Sequence, residues 1–188
     1  CIRDRLIAGL LAELNAGKAA PETELEVLEA ARKRAARNLE LAGLLGIFDR
    51  KRKERVATDP LAAWRECLEG GDPIAGRAVF TTSNEAACVR CHRIGGEGRT
   101  VGPSLEDVSA RRDAKSILRS IVTPSAEIDP AFRSRTLVLK SGKIVVGLPR
   151  RKSETVTVVV DAQGKEVTVE NDQILQSLDQ ETSLMPEM

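Results

Sequence analysis

Residues 88–92 read Cys88-Val89-Arg90-Cys91-His92, and how that string is understood decides the rest of the chain. Its two thiols lie one helical turn apart, so both can add across the two vinyl groups of a haem. The adjacent imidazole is then aimed at the iron from the same side. Other chemistries ask for other surroundings. A thioredoxin-type redox pair sits between a strand and a helix of a parallel α/β unit, which is not legible here. A structural zinc site takes four ligands. Adjacent Cys91 and His92 chelate one tetrahedral ion poorly, and the remaining cysteines, Cys1 and Cys67, are distant in sequence. His92 is the single histidine, which excludes any mechanism built on two imidazoles. Covalent haem is the reading these residues favour over thiol redox chemistry or zinc.

Outward from the motif, residues 81–105 are rich in Gly and polar side chains, a loop with the chemistry in it. Before it, Asp72-Pro73 predicts a capped helix running to Phe80, and Asp59-Pro60 caps a short one through Trp64 to Leu68, ending at Gly70-Gly71. After it, a helix is expected over Asp113 to Val122, stopped by Thr123-Pro124. Beyond Phe132 the period changes from helical to alternating. Thr136 to Lys140, the turn Ser141-Gly142 and Lys143 to Leu148 form a hairpin signal. Thr155 to Val160 and Glu166 to Val169 repeat it around Asp161-Ala162-Gln163-Gly164, and Ile174 to Leu178 reads as a fifth short strand or a last helical turn. The expected result is a small antiparallel barrel or sandwich with no catalytic constellation.

Residues 2–70 read as helical. Ile7, Leu10, Leu11 and Leu14 make one apolar face. Asn15-Ala16-Gly17 stops that helix and Pro21 starts a second stretch with Leu25, Leu28, Ala35, Leu39 and Ala42 on one stripe, fraying near Gly43 and Gly46. A helix pair packed on a neighbour is expected, with Arg50-Lys51-Arg52-Lys53 as its solvated end. The 188 residues suffice for one large or two small domains. Twenty-nine basic against twenty-eight acidic residues leave a net charge of +1, so no whole-protein field favours nucleic acid. No apolar run is long enough to span a bilayer. Aromatic residues are only 2%, so the core must be filled by aliphatics or by something that is not protein. Opening at Cys1 without Met or signal peptide, the chain reads as a segment of a longer or processed precursor.

The flanks of the motif resemble class I c-type cytochromes. Gly76-Arg77-Ala78-Val79-Phe80 looks like the G-x-x-x-[FY] helix that precedes their haem motif. Gly102-Pro103-Ser104-Leu105 is similar to their G-P-x-L segment, and Ser183-Leu184-Met185-Pro186 to the Met-Pro that supplies the second axial ligand. With the preceding helices and the interposed strands, residues 59–188 resemble the haem-binding domain of Pirellula and Verrucomicrobium type, and the first 58 residues more loosely the end of a helical-repeat array. The resemblance implies a mainly α fold with a small antiparallel β insertion: a helical segment 1–58, a cytochrome c core 59–132, the insertion 133–177, and a loop 178–188 returning to the haem. It implies that Cys88 and Cys91 form thioethers, that His92 and Met185 ligate the iron, and that Pro103 accepts a hydrogen bond from the far nitrogen of His92. Phe80 and Leu105 would pack near the porphyrin. Pro186 holds Met185 in extended backbone, presenting it from a loop, whereas Met188 stands at the end of the chain.

The expected function is that of a monohaem electron carrier rather than an enzyme, taking electrons from a dehydrogenase module of the same polypeptide or a partner protein. Thioether attachment implies a periplasmic or secreted location, where Cys1 and Cys67 become candidates for a disulfide. The alternative leaves Cys67 a small buried apolar residue and Cys1 a free thiol. Two rival functions stay open: a haem enzyme or gas-binding site with an open sixth position, and a structural adaptor.

Overall fold

The computed structural model describes residues 2–187 and divides the chain into two compact units, Cys1–Gly76 and Arg77–Met188. The expected pairing partner of Cys67, Cys1, lies outside the described residues, as does Met188. Cys67 itself is exposed rather than buried.

The first unit holds three helices rather than a pair: α1 (Ile2–Asn15), α2 (Glu24–Ala35) and α3 (Leu39–Val56). The single stripe expected from Leu25 to Ala42 breaks at Asn38. That residue is extended (φ −145°, ψ 103°), and its side chain accepts the Leu41 N–H, which starts α3 afresh. Leu39 is consequently 91% exposed, while Leu41 is fully buried. Gly43 and Gly46 lie inside α3 and end nothing. Leu11, Ala31, Leu41 and Phe48 form the centre of one hydrophobic core. The basic run is more than a solvated end. Lys51 Nζ donates to the Asn15 carbonyl at 2.7 Å, and the Arg52 guanidinium lies 5.7 Å from the centroid of the Trp64 ring and donates to the Ala63 carbonyl. Asp59 caps a 3-10 turn, Pro60–Ala63, through the Leu61 N–H, and a second 3-10 turn follows over Arg65–Cys67.

The second unit overturns the expectation of a mainly α cytochrome core with a small β insertion. The fold is mixed α and β. It contains a two-stranded sheet of β1 (Arg93–Ile94) and β2 (Glu97–Gly98). A five-stranded antiparallel sheet is built from β3 (Arg135–Leu139), β4 (Ile144–Lys152), β5 (Val156–Val160), β6 (Glu166–Glu170) and β7 (Ile174–Asp179), in the order β6-β5-β4-β3-β7. The reason is where the apolar area goes. Thr157, Val158, Val159 and Val160 are all buried, so β5 is covered on both faces and the sheet carries the unit's core. Leu137, Val145, Val159 and Val169 pack on one side; Val101, Leu148 and Val160 make a second cluster. The helices α4 (Pro73–Thr82), α5 (Val108–Arg111) and α6 (Ala114–Val122) bury only Val122 between them. Pro149, which has no N–H to give the ladder, coincides with a register shift in the β4–β5 pairing. Among the described residues no helix is long and apolar enough to cross a membrane.

Candidate functional site

The motif sits on a tight turn rather than a helix. Asp72 Oδ1 accepts the Ile74 and Ala75 N–H groups at 2.8 and 3.1 Å and starts α4, which ends at Thr82. Ala87 then adopts the left-handed conformation (φ 50°), a position that costs a non-glycine residue about 1–2 kcal/mol. A 3-10 turn over Cys88–Arg90 follows, and the Cys88 carbonyl accepts from the N–H groups of both Cys91 (3.1 Å) and His92 (2.9 Å). That bifurcated bond sets the two thiols and the imidazole on one turn.

The segment after His92 folds back over it. The Arg99 N–H donates to the carbonyls of Val89 and His92, and the Gly102 N–H to that of Cys91 at 2.7 Å. The close approach requires glycine: a Cβ on Gly98 (φ +94°) would lie 2.1 Å from the His92 carbonyl oxygen. A Cβ on Gly102 would lie 2.9 Å from Cε1 of the His92 ring. The ring therefore rests on bare backbone, and its Nδ1 lies 2.8 Å from the Pro103 carbonyl oxygen. A carbonyl only accepts, so Nδ1 carries a proton, and in the neutral ring Nε2 keeps its lone pair. Leu105 is half-buried, and its N–H donates to the Arg93 carbonyl at 2.9 Å. The Glu106 carboxylate accepts from the N–H groups of Gly96 and Gly95, which hold it below the usual carboxylate range and close the β1–β2 turn.

Met185 is half-buried in the loop after β7. Ser183 organises that loop: its N–H donates to Ser125 Oγ at 3.2 Å, and its own Oγ accepts the Met185 N–H at 3.1 Å. Leu184 and Cys91 both pack against Val101, Leu148 and Val160, so the methionine loop and the cysteine motif meet on one cluster. Phe80 is half-buried on α4 and is not part of it. Burial pushes the Cys91 thiol up, against the opposing pull of Arg90 and Arg99, the reverse of what a nucleophilic thiolate needs. Among the described residues no three His, Cys, Asp or Glu side chains are grouped to hold a metal ion, so Cys88, Cys91 and His92 do not converge on one point.

Sequence reasoning missed the partners of this machinery. Gly102 was legible as half of a Gly-Pro pair but not as the floor under the imidazole. Neither Ser125, just past the Thr123-Pro124 stop, nor Arg99 carried a signal. No model of a known family and no curated protein matches the chain.

Proposed function

We propose that the chain is an electron-transfer module carrying one covalently bound haem c, with Cys88 and Cys91 as its thioether anchors. His92 and Met185 would hold its iron, all on a mixed α and β scaffold. The observation that carries the reading is the 2.8 Å contact between His92 Nδ1 and the Pro103 carbonyl, with the ring seated on Gly102. This arrangement commits the far nitrogen as a donor, leaves Nε2 for a metal, and raises ligand basicity. Val79 on α4 and Ile121 on α6 keep 57% and 39% of their surface uncovered. Exposed apolar area of this kind is what a porphyrin would cover. Such a haem supplies one-electron chemistry between Fe(II) and Fe(III), and a thioether ligand raises its potential.

The residues of the chain then hold rather than react. Pro103 fixes the ring orientation of His92, Ser183 holds the methionine loop, and the Val101 cluster excludes water beside Cys91. Attachment through two thioethers implies maturation outside the cytoplasm, hence a periplasmic or secreted location. The electron donor is a dehydrogenase module on the same polypeptide or a partner protein. The test is expression alongside a haem-attachment system, followed by visible spectra of the oxidised and reduced protein. Haem that survives denaturing electrophoresis and disappears in the Cys88→Ala, Cys91→Ala double variant is expected. So is a weak red band of the ferric iron–thioether bond that is lost in Met185→Ala. Rapid and complete binding of carbon monoxide by the reduced wild-type protein would refute the closed electron carrier.

A further inference from the structure

Arg93, Arg99 and Arg150 line one cleft of about 420 Å³, together with Val101, Gly164 and Glu166. One wall is the loop that follows His92; the other is formed by β4 and the turn from β5 to β6. Two of the guanidiniums are pinned there by backbone. Arg99 Nη1 donates to the Gly164 carbonyl at 3.1 Å, and Arg150 donates to the Thr100 carbonyl. Each such bond occupies one of the five N–H donors a guanidinium carries.

Among the described residues, their charges are not spent in ion pairs with carboxylates. The ion pairs described in this unit are Arg77–Glu97, Arg112–Glu127, Arg135–Asp179 and Arg151–Glu166, and none includes the three cleft arginines. The carboxylate on the cleft wall, Glu166, is already paired with Arg151 at 3.4 Å. Glu106, which feels Arg93 at longer range, is held by the Gly95 and Gly96 N–H groups. Three cations thus gather in one cleft of a chain whose net charge is only +1. Val101 and Val160, 7% and 3% exposed, put an apolar surface behind them, where charge–charge attraction is less screened than in open water. The planar guanidinium fork matches carboxylate and phosphate oxygens two at a time.

We propose that this cleft is a binding site for a small ligand carrying two or more carboxylate or phosphate groups. A single oxyanion would satisfy one fork and leave the other cations facing each other; a polyanion bridges them. The cleft shares Val101 and Val160 with the cluster on which Cys91 packs, but the proposal does not rest on haem attachment.

The experiment is calorimetric titration of the full chain, with haem attached and without, using citrate and pyrophosphate as probes at low ionic strength. Saturable one-site binding of at least one probe to both forms is expected. Arg93→Gln, which leaves the two backbone-pinning bonds of Arg99 and Arg150 in place, is expected to weaken it roughly tenfold or more. Arg150→Gln should do the same, while Arg119→Gln on α6 leaves binding unchanged. No saturable binding of either probe below about 10 mM would overturn the proposal, as would affinity unaltered by Arg93→Gln. Binding confined to the haem-free chain would overturn it too, because the cleft would then serve carboxylates of the attached group instead of a free ligand.

Discussion

Adding a single methyl group at position 102 tests whether the His92 imidazole is held by fit. A Cβ there would lie 2.9 Å from Cε1, 3.2 Å from Nδ1 and 3.4 Å from Nε2. Non-bonded carbons settle at about 3.5–4.0 Å, so the ring of a Gly102→Ala variant must retreat by roughly half an ångström or more. The Nδ1 to Pro103 contact has little room for that. At 2.8 Å it sits near the short end of the N–H···O range of about 2.7–3.2 Å, and the acceptor belongs to the very next residue. Either the bond is lost or the loop shifts. A hydrogen bond of this kind is worth about 0.5–1.5 kcal/mol net, and overpacking costs about 1–3 kcal/mol, so a loss of stability of about 1–3 kcal/mol is expected. The same 0.5–1.5 kcal/mol corresponds to a roughly two- to twelvefold fall in the ratio of Nδ1–H to Nε2–H tautomer. Because His92 is the only histidine, nitrogen NMR of the imidazole in the haem-free chain at alkaline pH reads that ratio without assignment. Urea unfolding supplies the stability. An alanine variant with the wild-type tautomer ratio and wild-type stability would refute the steric argument.

Three further outcomes follow from the same physics. Asn38→Ala removes the cap of α3 and should cost about 1 kcal/mol in urea unfolding, with the His92 tautomer unchanged. Leu137→Ala, at a residue 1% exposed in the sheet core, should cost about 2–5 kcal/mol by the same measurement. The Glu106 carboxyl is held below its ordinary range by the Gly96 and Gly95 N–H groups, so its contribution is complete above the unfolded value of about 4.3 and is lost as the pH falls through the lower folded value. Protection of the Gly95 and Gly96 amides, taken relative to intrinsic exchange at each pH, should therefore fall on acidification, and Glu106→Gln should show the lower protection already at neutral pH.

Local signals in the sequence were strong wherever a single residue sets the backbone. Asp72-Pro73 and Asp113 mark the starts of α4 and α6, and in each the Asp side chain accepts a backbone N–H of the first turn. The alternation from Thr136 onward placed most strand ends within a residue or two, but β4 runs to Lys152, four residues past the expected Leu148; Ile174 to Leu178 resolved as a strand. Packing was not legible. Nothing in the spacing of Leu25, Ala35 and Leu39 says that the chain turns at Asn38, because a helical stripe continues in register across a short break. The weight of the sheet was hidden for a similar reason: a run such as Val156 to Val160 reads as one short strand, and only its burial on both faces makes it the centre of a core. At the site, the motif string was plain, but the residues that aim it were not. Gly102 acts through an atom it lacks, and Ser125 meets Ser183 across a gap of 58 positions.

The position of Met185 is a matter of measured chain length. Asp179, the last residue of β7, pairs with Arg135, and the Gln180 N–H is fastened to the Ser134 carbonyl at 2.8 Å. Only a short leader joins that anchorage to Met185, so the edge strand works as a ruler whose zero is set on β3. The hairpin tip at Ser141-Gly142 is off this scale. A side chain at Gly142 would meet no neighbouring atom, though its left-handed φ of +82° asks for glycine or asparagine. Residues inserted at that tip would lengthen the chain between His92 and Met185 without displacing either. One residue inserted between Asp179 and Ser183 would move the Met185 sulfur by up to about 3.5 Å. Of the 93 positions separating the two residues, the hairpin tip is a place where length can change freely, while the few after Asp179 are held to a fixed span.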